Sequence, residues 1–261
     1  MNYLVACDLD NTLLDSQYNI SEACSDTIRA FTAAGNLFVI ATGRLDHDIV
    51  YVEKHIGLAG NYRISQNGAI IKDSNNKTLQ HLKIAQPVLQ PLSQFLAAMN
   101  IRFEVSDADH RYFPSPRPAD MVGEFVDSSI VDPNMSERIG IDIFPSTFLI
   151  FGNETIFAEI RCYVESNFSE AIIAIMTSPT SLEIIPRDVS KGNALAYIQQ
   201  LEVIGISNTA AIGDSENDVS MFAYAKYSFA MTHAHNDVKQ EAAYIMDDVA
   251  DCINFLKEEQ R

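Results

Sequence analysis

The sequence predicts an α/β protein: a Rossmann-like parallel sheet built from the two ends of the chain, with an α+β domain inserted between them. Three observations carry this expectation. Short apolar runs alternate with helix-spaced segments over roughly the first eighty residues. The alternation stops near Lys83, where short paired strand signals and amphipathic stretches take over. It returns after Pro186 and continues to the end. The expected division is therefore 1–82 with 183–261 for the sheet domain, and 83–182 for the insertion.

Each element has a local reason. Tyr3 to Cys7 is an apolar run of the kind that forms a strand buried on both faces. Ser21 is placed to cap a helix whose Cys24, Ile28 and Phe31 recur at helical spacing, and Gly35 is placed to end it. Leu37 to Ala41 is a second buried strand, Asp46 to His55 a helix, and Tyr62 to Ser65 a third strand. Ala69 to Lys72 and Thr78 to Leu82 flank Asp73-Ser74-Asn75-Asn76-Lys77 as a hairpin. In the insertion, Thr147 to Phe151 and Ala171 to Met176 read as strands, with Glu154 to Asn167 amphipathic between them. The returning alternation gives Thr209 to Ile212, a helix from Glu216 to Ala225, Ser228 to Met231, and a closing helix from Val249 to Glu258.

Composition excludes several classes of function. With 18 Lys plus Arg against 35 Asp plus Glu, the formal net charge is -17. Such a surface does not replace the counterions of a nucleic acid, and it does not dock on an anionic membrane. A small phosphorylated ligand remains compatible, because a few cations and a metal can form one positive pocket. The four cysteines, Cys7, Cys24, Cys162 and Cys252, lie far apart and read as isolated thiols in a reducing compartment. The N-terminal residues have no basic segment, and no apolar run approaches the ~20 residues of a membrane span. A cytoplasmic location is expected.

Four segments carry chemistry. Asp8-Leu9-Asp10 follows the first strand, and on an extended backbone residues two apart face the same way, so the two carboxylates are expected to converge. Thr42-Gly43-Arg44 ends the second strand with a hydroxyl and an unobstructed backbone N–H. Ser190-Lys191-Gly192-Asn193 opens a helix and brings an ammonium to its N-terminus. Gly213-Asp214-Ser215-Glu216-Asn217-Asp218 ends another buried strand in a cluster of acids. Taken singly, each also reads as an ordinary loop or helix cap.

In order and spacing these segments resemble the haloacid dehalogenase (HAD) superfamily of phosphohydrolases. The long insertion resembles the cap of its Cof-type sugar-phosphatase branch, where it serves substrate specificity. Gln66-Asn67-Gly68-Ala69, Glu183-Ile184 and Phe229-Ala230-Met231 add to the match. The resemblance implies that Asp8 is a nucleophile forming an aspartyl phosphate and that Asp10 is the general acid and base. It implies Mg²⁺ held by Asp8, the backbone carbonyl of Asp10 and Asp214, with Asp218 as support. Leu9, Thr42, Gly43, Lys191 and Asn217 would hold the phosphate, and Arg44 and Asn67 are possible substrate contacts. A carboxylate at Asp10 suits a phosphatase or a phosphohexomutase, and a non-catalytic phosphometabolite-binding protein is the third alternative. Two departures stand out: Thr232-His233-Ala234 replaces a common Asn-Ala, and Arg187-Asp188 precede Val189 where small residues are frequent. His233 and His235 could be read as a metal pair or as loop residues. In the insertion, Arg102, His110, Arg111 and Arg117 are either ligand contacts or surface charges. Phe103, Tyr112 and Phe113 are either stacking rings or core.

Overall fold

The computed structural model describes residues 2–58, 60–117, 125–178 and 180–259, apart from the side chains of Thr177 and Ser178. It divides the chain into two compact units, Met1–Gln80 with Ser190–Arg261, and His81–Val189.

In the first unit, β1 (Leu4–Cys7), α1 (Glu22–Ala33), β2 (Leu37–Ala41), α2 (Asp46–His55), β3 (Tyr62–Ser65), β4 (Ile70–Asp73) and β5 (Thr78–His81) come first. In the second unit lie α3 (Gln86–Ala98), β6 (Phe103–Ser106), β7 (Arg111–Phe113), β8 (Ser129–Val131), α4 (Met135–Arg138), β9 (Thr147–Phe151), α5 (Glu154–Phe168), β10 (Ile172–Ser178) and β11 (Ser181–Pro186). The chain then returns to the first unit with α6 (Lys191–Glu202), β12 (Thr209–Gly213), α7 (Glu216–Phe222), β13 (Tyr227–Met231), α8 (Asn236–Glu241), β14 (Tyr244–Met246) and α9 (Val249–Glu259). No helix among the described residues is long and apolar enough to cross a membrane.

The eight-stranded sheet of the first unit has the order β14-β13-β12-β1-β2-β3-β4-β5. From β14 to β3 the pairs are parallel, and β4 turns back antiparallel on β3. Strand β1 is central because its four residues are all apolar and buried. From it the chain winds outward through β2 and β3, and later through β12 to β14 on the other side. The order therefore reverses between β1 and β12, and the carboxyl ends of strands at such a reversal form a crevice for ligands. The helix starts follow local rules. Ser21 Oγ accepts from Cys24 N (3.1 Å) and Ser190 Oγ from Asn193 N (3.0 Å), each offsetting an unpaired N–H of the first turn.

The second unit is a six-stranded, mainly antiparallel sheet in the order β10-β11-β9-β6-β7-β8. Phe103, Val105, Phe148, Ile150, Leu182 and Ile184 alternate along their strands and pack with Leu89, Leu92, Leu96, Phe157 and Ile160 of α3 and α5 in one core. The expected junction at 182/183 falls inside β11, which pairs with both β9 and β10. The return to the first unit occurs instead at 189/190.

Candidate active site

Strand β1 delivers Asp8 to the carboxyl end of the sheet, where its N–H donates to Ile212 O (2.9 Å) of β12. The same end of β12 leads through Gly213 to Asp214, so two acids 206 positions apart in sequence meet by strand pairing. Lys191 enters from the N-terminus of α6. Its ammonium lies 2.5 Å from Asp8 Oδ1 and 2.7 Å from Asp218 Oδ1, and the side chains of Lys191, Asp8 and Asp218 are buried.

Asp218 organises the turn before α7. One of its oxygens, Oδ2, accepts from the N–H groups of both Asp214 and Ser215, each at 3.0 Å. Asp214 is also held by Thr12 Oγ1, which donates to its Oδ1 at 3.1 Å. One oxygen each from Asp8, Asp214 and Asp218 lie within 4.8 Å of one another, and this is a cation-sized arrangement of hard donors. Burial, and then the charges of Asp218 and Asp214, push the Asp8 carboxyl up to about 8, against the opposing pull of Lys191. Asp214 is raised as well, by burial and by Asp218. Two buried acids and the half-buried Asp214 against one ammonium are short of positive charge, so the donor set fits a divalent cation.

Asp10 departs from expectation. Its carboxylate lies outside that cluster, because β1 ends at Cys7 and the alternation that would align Asp10 with Asp8 ends with it. Asn11 then takes a left-handed conformation (φ 59°), and the Asp10 side chain turns to Arg44. Arg44 Nε donates to Asp10 Oδ2 at 2.7 Å and Nη2 to Oδ1 at 2.8 Å. Both oxygens of Asp10 are thus taken up by an arginine fork.

The loops after β2 and β3 are tied together. Arg44 N donates to Thr42 Oγ1 (3.2 Å), Asn67 N to Thr42 O (2.9 Å) and Gln66 N to Arg44 O (2.9 Å). Gln66 and Asn67 both have positive φ (49° and 56°), a backbone that side chains rarely adopt in succession. A Cβ on Gly43 would stand 3.3 Å from Asn67 Oδ1, so glycine keeps this approach open. Asn67 Oδ1 also accepts from Asn217 Nδ2 (2.9 Å), linking the loop to α7. Asn217 Oδ1 is buried with no hydrogen-bond partner among the described residues. Leu9 is buried beside Asp8, and its carbonyl accepts from Leu14 N (2.8 Å).

The two histidines do not form a pair. His233 Nε2 lies 3.9 Å from Asp214 Oδ2, whereas His235 turns to Asp237 and caps α8. In the second unit, Arg102 and Arg117 both bind Glu104, Arg111 donates to Ser106, and His110 faces Asp107. Phe103 and Phe113 are core, and the Tyr112 hydroxyl donates to Asp107. Sequence reading did not single out Asp48, buried beside Arg44, or Tyr18, whose ring faces the guanidinium. An acid in the first turn of a helix carries no mark that separates it from an ordinary dipole partner.

Comparison with known proteins adds three findings. The family model described as haloacid dehalogenase-like hydrolase matches residues 5–252. The 5-amino-6-(5-phospho-D-ribitylamino)uracil phosphatase YwtE of Bacillus subtilis is 26% identical over 265 residues, covering 92% of this chain and 91% of that protein. Among solved structures, a haloacid dehalogenase-like hydrolase from B. subtilis superposes with a TM-score of 0.86 at 24% identity, covering 97% of this chain and 99% of the other. A sugar phosphatase of HAD subclass IIB gives 0.78 at 18% identity, covering 98% and 99%.

Proposed function

The chain belongs to the haloacid dehalogenase-like hydrolases, and from that premise we propose that it is a Mg²⁺-dependent phosphatase acting on a small phosphorylated metabolite. The observation that carries this reading is the buried Asp8 at the end of β1, with the Lys191 ammonium on one oxygen and Asp214 beside it. A sugar phosphate is the substrate class we favour. One relative is named for a phosphoribityl compound and one structural neighbour for sugar phosphates, both phosphate esters of polyhydroxylated carbon.

In this reading an Asp8 carboxylate oxygen attacks phosphorus in line, and the bond from phosphorus to the leaving oxygen breaks. Asp10 gives that oxygen a proton, then takes one from the water that hydrolyses the aspartyl phosphate, returning Asp8 to its free form. Lys191 and Thr42, with the N–H groups of Leu9 and Gly43, hold the non-bridging oxygens, and Asn217 supports them. Asp8, the Asp10 carbonyl and Asp214 would hold the cation, and Asp218 would fix Asp214 through its N–H. When bound, the cation supplies positive charge that lets a carboxylate approach an anionic phosphate.

The test is release of inorganic phosphate from a panel of sugar phosphates and p-nitrophenyl phosphate with Mg²⁺ present. Turnover is expected, lost with EDTA and lost in Asp8→Asn. A folded Asp8→Asn variant that keeps its rate would remove Asp8 from the role. Phosphate release also separates this reading from a mutase, which returns the group to its sugar.

A further inference from the structure

The fork between Arg44 and Asp10 has a consequence for the reaction. Both Asp10 oxygens accept from the guanidinium, at 2.7 and 2.8 Å, so the carboxylate faces Arg44 rather than the Asp8 cluster. An Asp10 carboxyl turned to a leaving oxygen gives up part of this fork, and a second anion beside the guanidinium offsets that loss. That anion is already in place. Arg44 Nη1 lies 3.5 Å from Asp48 Oδ2, roughly half an ångström beyond ordinary hydrogen-bond distance.

The two carboxylates differ in freedom. The Asp10 side chain is 36% exposed, whereas that of Asp48 is 1% exposed in the first turn of α2. The Arg44 backbone is pinned on both sides, by its N–H to Thr42 Oγ1 and by Gln66 N to its carbonyl. The Tyr18 ring, 5.4 Å from the guanidinium carbon, offers an aromatic face beside it.

We propose that Arg44 is a positioning residue that parks Asp10 between turnovers, and that Asp48 receives the guanidinium when Asp10 turns to the substrate. The inference rests on the phosphatase reading above and names a control on its proton-transfer group. Asp10 is then available only in the arrangement in which Arg44 leans on Asp48.

Leaving groups of different acidity separate this role from a structural one. The measurement is single-turnover release of the leaving group from p-nitrophenyl phosphate and from phenyl phosphate, with enzyme in excess and Mg²⁺ present. Nitrophenolate leaves with little help, whereas phenolate depends more on a donated proton. Asp48→Asn removes the alternative anion and keeps Arg44 on Asp10. The ratio of phenyl to p-nitrophenyl rate is expected to fall about tenfold, within the range a positioned acid contributes. Arg44→Lys gives a point charge in place of a fork, which frees one Asp10 oxygen and moves the ratio the opposite way. It also decides the matter should Asp48→Asn not fold. A ratio unchanged in a folded Asp48→Asn overturns the hand-over, whether both rates fall together or neither does. So does Arg44→Lys moving the ratio downward. Wild-type protein inactive on both esters would remove the phosphatase reading, and the inference with it.

Discussion

Lys191 is held between two carboxylates with its ammonium out of water, and that arrangement is costly to break from either side. Lys191→Met leaves Asp8 and Asp218 without their cation, and an expected loss of about 3–5 kcal/mol is measurable by urea unfolding. Asp8 has a second consequence. Its carboxyl is raised to about 8 by burial and by Asp218, so in metal-free protein the folded state keeps a proton that the unfolded chain releases near its ordinary value. Below that ordinary value both states are protonated, so the stability that protonated Asp8 contributes is fully present and does not change with pH. From about pH 4 to about pH 8 the folded state holds more protons, and stability falls as pH rises. In EDTA, wild-type protein is expected to lose stability relative to Asp8→Asn between about pH 5 and about pH 8. Glu53, raised to about 7 mainly by burial, acts in the same direction in both proteins and cancels in the difference. A pH-independent difference would show that Asp8 is not raised. Which residues were acids at strand ends was legible from the chain. That Asp10 would pair with Arg44 was not, since the partners are 34 positions apart and on different loops.

At the level of elements, the site depends on how closely α6 approaches α7. A Cβ on Gly192 would stand 2.0 Å from Ser220 O, and Gly192 N donates to Ser220 Oγ at 3.1 Å. Glycine here follows from the approach of another helix's backbone. Gly192→Ala is expected to push α6 outward, costing about 1–3 kcal/mol as overpacking does. Because Lys191 is the adjacent residue, phosphate release should fall as well. Thermal unfolding and a phosphate assay on the same preparation test both; an alanine variant with unchanged melting temperature would show that the helices yield without strain. Gly213 has the same origin, since a Cβ there would lie 2.4 Å from Asp218. The sequence placed Gly213 at the end of a buried strand, which is a local property. It did not mark Gly192 as a contact, because the opposing carbonyl comes from a residue 28 positions away. Strand and helix limits were easier. The helix from Asp46 to His55 and the strands at Leu37–Ala41 and Thr147–Phe151 follow from periodicity and end signals alone.

For the whole molecule, the first unit gathers residues from both ends of the chain around β1, and the second closes its own core. A cation bound only by the folded first unit stabilises it by mass action, about 2.7 kcal/mol at a hundredfold excess over its dissociation constant. Mg²⁺ is therefore expected to raise the melting temperature of the wild type and to have little effect on Asp214→Asn; equal shifts would place the ion elsewhere. The sequence by itself determined the class of fold, the order of its elements and the strand ends that carry acids. Periodicity, caps and turn residues act over a few neighbours, so they can be read in order. Only the tertiary structure decided which acids stand together and which one Arg44 holds apart. Those contacts join segments up to 210 positions apart in sequence, and strand pairing and helix packing, which local pattern does not encode, bring them within 4.8 Å of one another.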